Sequence, residues 1–227
     1  MISVRTKLYF SMENLILQQF FVFTFPERHD KMCSYLYFSF LRGQTMDSNF
    51  FALISRMRYI ARWGLMRNAL PENIQEHSHM VAVLAHALGV IRRDIFHQPC
   101  DVNALATAAL YHDASEILTG DLPTPIKYHN AEIMSAYHAV EDLAVQKLLG
   151  MLPPELRETY ADVLAEDKDG DIYPLVKAAD KLSAYIKCIE ERKAGNNEFL
   201  SAEAQTRAAL EASPLPEVCL LYTSPSP

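Results

Sequence analysis

The adjacent pair His112 and Asp113, a His77 upstream and a lone Asp180 inside an apolar stretch are side chains that could hold a divalent cation. Neutral imidazole nitrogens and carboxylate oxygens suit zinc, cobalt or manganese, and four ligands projected from three helices leave coordination positions for water and substrate. Two consecutive ligands on one helix point about 100° apart, so they converge on one ion only at a helix edge that faces the interior. Taken singly, a His or Asp on an apolar helix face is a hydrogen-bonded core polar group. Glu116 adds weight to the metal reading: it follows Asp113 by three residues and His112 by four, on the same side of the helix, where it could orient or deprotonate a water at the ion. The other histidines lack such company. His79 falls about 200° round the helix from His77 and His86 close to opposite it, both towards another layer or solvent. Cys188 reads as a small buried hydrophobe rather than a flank of the site.

The elements that must carry these residues are helical almost throughout. Phe50, Leu53, Ile54, Met57 and Ile60 recur at the three- and four-residue spacing of an amphipathic helix. Asn73 or Glu76 opens the next helix, on which His77, Val81, Leu84, Leu88 and Ile91 share a face. Asn103 precedes a third run, LATAALYHDASEILTG, which places His112 and Asp113 mid-helix and stops at Gly120 before Pro123 and Pro125. Further helices are expected at about 130–150, 154–166 and 172–194; the last carries Asp180 on its apolar face and stops at Gly195. No alternating β-branched run appears, so the expectation is an all-α bundle around one buried metal site.

Composition narrows the chemistry. The 227 residues are 50% hydrophobic and 22% charged, a globular profile with one good core. A formal charge of −7 disfavours a surface built on many nucleic-acid phosphate contacts, so the expected partner is a small molecule and not a nucleic-acid polymer. Cys33, Cys100, Cys188 and Cys219 have no paired spacing, which argues against a disulfide framework or thiolate zinc site and suits a reducing cytoplasm. The seven glycines stand about twenty or more residues apart, excluding the dinucleotide fingerprint and the P-loop.

Both ends differ from the middle. Residues 1–45 hold ten of the 23 aromatics without sustained periodicity, and their apolar stretches are too broken for a signal peptide or membrane span. They read as an extension upstream of a domain starting at Met46, the rival being an appendage or membrane-surface anchor. The domain is expected over 46–212. Residues 213–227, with Pro214, Pro216, Pro225 and Pro227, read as an irregular tail, non-native in part, that cannot form a core helix.

The pattern H…HD…D, here His77, His112, Asp113 and Asp180, resembles the HD-domain phosphohydrolases. ARWGLMRN (61–68), ENIQEHS (72–78), YHDASEILTGDLPTPIKY (111–128), VKAADKLSAYIKCIEE (176–191) and AGNNEF (194–199) resemble more closely the bacterial 5′-deoxynucleotidase branch, over roughly residues 46–212. That resemblance implies one divalent ion (cobalt, manganese or zinc) on His77, His112, Asp113 and Asp180, with Glu116 as the catalytic carboxylate. It implies Arg62 and Trp63 on the phosphate side, Arg62 also serving catalysis, and the loop Asp121, Leu122, Pro123 and Thr124 at the nucleoside. Substrate would also touch His77, Asp113 and Asp180. A homodimer is implied too. Members of the branch usually continue into a further aromatic-rich helical stretch that this sequence lacks.

The chemistry of these residues agrees. Hydrolysis of a phosphomonoester needs charge neutralisation, a water in line with the leaving oxygen and a proton shuttle, which a metal with Arg62, its water and Glu116 would supply. Arg62 presents a planar fork matched to two phosphate oxygens; its plainer role is a helix-end cation. Trp63 could use its indole N–H on the phosphate, wall the pocket or belong to the core. The prolines of LTGDLPTP preset a turn whose Asp121 can accept from a sugar hydroxyl, and a rigid wall near C2′ would exclude a ribonucleotide. Lys127 and Lys181 read as ordinary solvated charges. The expected activity is metal-dependent release of phosphate from deoxyribonucleoside 5′-monophosphates. The alternatives are an HD phosphodiesterase or pyrophosphohydrolase acting on another nucleotide, and an inactive nucleotide-sensing module.

Overall fold

Capping and packing decide where the helices start and stop. The computed structural model describes residues 49–165 and 170–223; the extension expected over residues 1–45 lies outside the described residues. The first helix, α1 (Phe50–Ile54), tightens into a 3-10 turn over Ser55–Tyr59. Helix α2 (Ile74–Val90) opens with a reciprocal cap, in which Asn73 Oδ1 accepts from Glu76 N–H at 3.0 Å and Glu76 Oε2 accepts from Asn73 N–H at 3.3 Å. It runs into a π turn at Ile91–Ile95. Asp101, rather than Asn103, caps α3 (Val102–Tyr111), accepting from the N–H groups of Asn103 and Ala104.

The third expected helix is broken at its most important point. It ends at Tyr111, residues 112–115 form tight turns, and a short α4 follows at Glu116–Thr119. Here His112 Nδ1 bonds the Ala109 carbonyl at 2.7 Å, and backbone bonds shorten to Ala114 N–H on Tyr111 and Glu116 N–H on Asp113. The His-Asp pair is thus not mid-helix but in tight turns with 3-10-type bonds just beyond the end of α3. Gly120, at φ 75°, then ends α4 in the left-handed conformation that glycine adopts without steric cost.

Helices α5 (Thr124–Lys127), α6 (Ala131–Gly150), α7 (Pro154–Leu164) and α8 (Tyr173–Lys193) follow. α9 (Leu200–Glu211) and α10 (Pro216–Thr223) complete the described residues. Among these residues the architecture is all-α, and the only extended pairing is an isolated bridge between Ala61 and Asn73.

The main core joins α2, α3 and α8 through Val81, Ala85, Leu88, Leu105, Ala109, Leu175, Ala179 and Leu182. Gly89 allows α2 and α3 to approach closely: a Cβ there would lie 3.0 Å from Leu105 Cδ2. A second cluster of Phe50, Ala114, Leu148, Leu149, Leu152 and Leu164 packs under the turn after α3. The catalytic candidates therefore sit between two packed clusters on rigid supports.

The tail corrects the expectation of an irregular segment after residue 212. Pro216 occupies the first position of α10, where its missing N–H is not needed. Val218 is fully buried in the main core, and buried Glu217 accepts from Arg92 Nε at 2.6 Å. The tail helix is held by tertiary contacts that its short, proline-flanked sequence does not announce.

Candidate functional site

Helices α2 and α8 and the turn after α3 converge on one cluster. One donor atom from each of His77, His112 and Asp180 lies within 4.8 Å of the others. His77 Nε2 stands 3.0 Å from Asp180 Oδ1, and Asp113 Oδ2 lies 3.1 Å from His112 Nε2 and 3.6 Å from His77 Nε2. The four ligands expected from the sequence are thus brought together, with Asp113 also ion-paired to Arg62 Nη1 at 3.3 Å. Both imidazole Nε2 atoms are buried and lack a hydrogen-bond partner. Two orphaned imidazole nitrogens facing carboxylates fit a borderline divalent ion, because unpaired buried polar atoms are costly unless something binds them.

The opposite edges of the rings explain why Nε2 is free. A carbonyl only accepts, so the bond to Ala109 O puts the proton of neutral His112 on Nδ1 and leaves a lone pair on Nε2. His77 Nδ1 meets Ser183 Oγ at 3.2 Å in the buried core. Sequence reasoning missed Ser183, although it follows Asp180 by about one helical turn on α8. Burial opposes a charged His112, but Asp113 and Asp180 outweigh it and raise its pKa. Burial likewise pushes Asp180 up, yet the His77 imidazole 3.0 Å away holds it at about 2. Asp113, with His112, His77 and Arg62 around it, stays well below the usual carboxylate range despite its burial.

Glu116 is 8% exposed, and its Oε2 is buried without a partner. Burial, then the charges of Asp113 and Asp121, push its carboxyl up to about 10, against the weaker pull of Arg62 and Lys127. A cation in the adjacent cluster would favour the ionised form. A carboxyl under such opposed influences suits proton transfer.

Arg62 and Trp63 enter on a loop closed at its base, where Arg62 N–H bonds Glu72 O at 3.0 Å beside the bridge from Ala61 to Asn73. Arg62 is not a loose helix-end cation. Its Nε lies 3.3 Å from Glu72 Oε2 while Nη1 faces Asp113, and these carboxylates with Asp180 outweigh burial and hold the guanidinium charged. The indole N–H of Trp63 donates to the same Glu72 Oε2 at 2.9 Å, so that donor is already engaged rather than free for phosphate. The Trp63 ring leans on Phe199 at 5.2 Å. Its backbone, at φ 60°, is left-handed, a conformation that costs a non-glycine residue about 1–3 kcal/mol and persists only when surroundings impose it. Trp63 N–H in turn donates to Asp121 Oδ2 at 3.2 Å, joining the two loops. Sequence reasoning missed Glu72, since its role depends on closure of the loop and leaves no spacing signal.

Leu122 and Pro123 are half-buried and Thr124 is exposed at the start of α5; none makes a hydrogen bond or ion pair with the ligand residues among the described residues. Lys127 is not merely solvated: it pairs with Glu141 at 2.8 Å and lies over the Tyr137 ring. His79 and His86 are exposed, and Cys188 is buried, as their helical positions implied.

The 5′-deoxynucleotidase YfbR-like family matches residues 49–225. The 5′-deoxynucleotidase YfbR of Shigella boydii is 52% identical over 167 residues, 73% of this chain and 84% of that protein, and the Escherichia coli protein of the same name is 51% identical over the same span. In fold, the chain is similar to an HD-domain phosphohydrolase from Listeria innocua, with a TM-score of 0.70 at 23% identity over 78% of this chain and 85% of that one. The match at residues 49–225 spans the candidate metal cluster, both loops and the tail helix, and the chain therefore belongs to the 5′-deoxynucleotidase YfbR-like family.

Proposed function

We infer that the protein hydrolyses deoxyribonucleoside 5′-monophosphates to deoxynucleoside and phosphate, and discriminates against ribonucleotides. The observation that carries this reading is the convergence of His77, His112 and Asp180, with both buried Nε2 atoms unpaired, in a chain of this family. His77, His112, Asp113 and Asp180 would hold a divalent ion. Such an ion supplies Lewis acidity towards phosphate and lowers the pKa of a nearby water.

The chain's own residues divide the remaining work. Arg62, braced by Glu72 and Asp113, orients a planar charged fork towards the phosphate. Glu116, held neutral by burial and its acidic neighbours until a cation in the adjacent cluster favours the ionised form, would move a proton to or from the reacting oxygens. Trp63 contributes a wall and its backbone tie to Asp121, rather than its indole N–H. With Asp121 thus held and Leu122 and Pro123 following in a preset turn, the loop forms the rigid side against which a 2′-hydroxyl would clash.

Cobalt, manganese and zinc are the expected ions, and a cytoplasmic homodimer the expected form. Phosphate release from dAMP and AMP, after chelation and add-back of each metal, tests the reading. Metal-restored release from dAMP with little from AMP supports it; no release from either by folded, metal-loaded protein defeats it. Light scattering tests the dimer.

A further inference from the structure

Glu191, near the end of α8, is fully buried, and every partner it has is a donor. Oε2 accepts from Ala69 N–H at 2.9 Å and from the Asn196 amide at 2.7 Å; Oε1 accepts from Leu70 N–H at 3.0 Å and from the Lys187 ammonium. Only an ionised carboxylate, an acceptor at both oxygens, satisfies four donors of this kind. Two of these partners bind the loop again, Lys187 donating to Leu70 O and Asn196 donating to Arg67 O at 2.6 Å, and Glu198 separately accepts from Arg67 N–H at 2.9 Å.

These bonds all fall on residues 67–70, the far side of the loop that carries Arg62 and Trp63. Its base is closed by the pairing of residues 60–62 with 72–74. Between base and tip, Trp63 O accepts from Met66 N–H at 2.9 Å, and the Trp63 ring rests on Phe199, whose other contacts include the Lys187 ammonium 5.5 Å from its centroid. Pinned at both ends, the loop has little freedom to relieve the left-handed backbone of Trp63.

We propose that Glu191 is a positioning residue for the reaction: through Ala69, Leu70 and Asn196 its carboxylate fixes the loop that presents Arg62 and Trp63, although it touches neither. The consequence for substrate rests on the deoxynucleotidase reading, whereas the consequence for Trp63 does not.

Trp63 is the only tryptophan, so its fluorescence reports the loop directly. Glu191→Gln keeps the size of the side chain but sets an amide donor against backbone or ammonium donors. In the metal-loaded full chain, the variant should show greater acrylamide quenching of Trp63, a KM for dAMP raised between roughly ten- and a hundredfold, and unchanged metal stoichiometry. A purely stabilising role would lower Tm and leave quenching and KM at 25 °C at wild-type values; that result in folded protein overturns the proposal. Should Glu191→Gln fail to fold, Asn196→Ala, which withdraws one peripheral donor, should shift quenching and KM in the same direction to a smaller extent, and no shift overturns the proposal. If wild-type protein releases no phosphate from dAMP while Glu191→Gln still increases Trp63 quenching, the functional reading fails and the clamp on the loop survives.

Discussion

Arg62 Nη1 lies 3.3 Å from Asp113 Oδ2, so the cation expected on the substrate side is already tied to a carboxylate of the candidate metal cluster. The guanidinium is held in one orientation by Asp113 on one side and Glu72 on the other, so that in the proposed reaction a phosphate would meet a fork already aimed. This ion pair ties the loop at 62–72 to the turn at 112–115.

Replacing Arg62 should therefore disturb binding and chemistry together. Arg62→Ala is expected to raise KM and lower kcat, reducing kcat/KM roughly 10²-fold or more, and Arg62→Lys should recover only part of this because a point charge cannot reproduce the fork. Steady-state kinetics on dAMP decide; altered stability with wild-type kinetics would return Arg62 to a structural role.

Asp180→Ala should lose metal and activity together, since Asp180 shares the cluster with His77 and His112. Metal analysis of protein desalted after loading is the check. Retention at wild-type stoichiometry would remove Asp180 from the ligand set.

Glu116→Gln preserves shape but not proton transfer. Metal content and KM should stay near wild type while kcat falls roughly 10²-fold or more. Wild-type turnover in this variant would place the acid or base elsewhere.

Glu191 also makes a prediction about acid. Burial alone would raise its pKa, but the Lys187 hydrogen bond and the N–H groups of Leu70 and Ala69 hold it at about 2, below the ordinary 4.5. A carboxylate depressed on folding stabilises the native state above its unfolded pKa, and that contribution is lost as pH falls from about 4.5 through about 2. Urea denaturation of metal-free protein across this range should show wild type losing more stability than Glu191→Gln, in which no carboxylate titrates. Parallel curves would contradict the assignment.

The tail helix is expected to belong to the folded domain. Val218→Asp, which places an unpaired charge in the main core, should cost about 3 kcal/mol or more. Ending the chain at Ala212 should lower Tm as well, leaving Arg92 without Glu217. A change in urea midpoint near zero for Val218→Asp would show that α10 contributes nothing to the fold.

Helical periodicity, the Asn73 cap and the H…HD…D spacing were readable from the chain, because apolar repetition, capping chemistry and ligand identity are local properties of residues. They sufficed for an all-α architecture and for His77, His112, Asp113 and Asp180 as one cluster. Tertiary structure alone decided the break at His112, where a side chain takes the Ala109 carbonyl; the burial of α10 against a core that short proline-flanked sequence does not reveal; and the roles of Glu72 and Glu191, each set by donors far from it in the chain or brought round by loop closure. Which hydrogen bonds a carboxylate completes depends on what folding carries to it, and no spacing in the sequence encodes that.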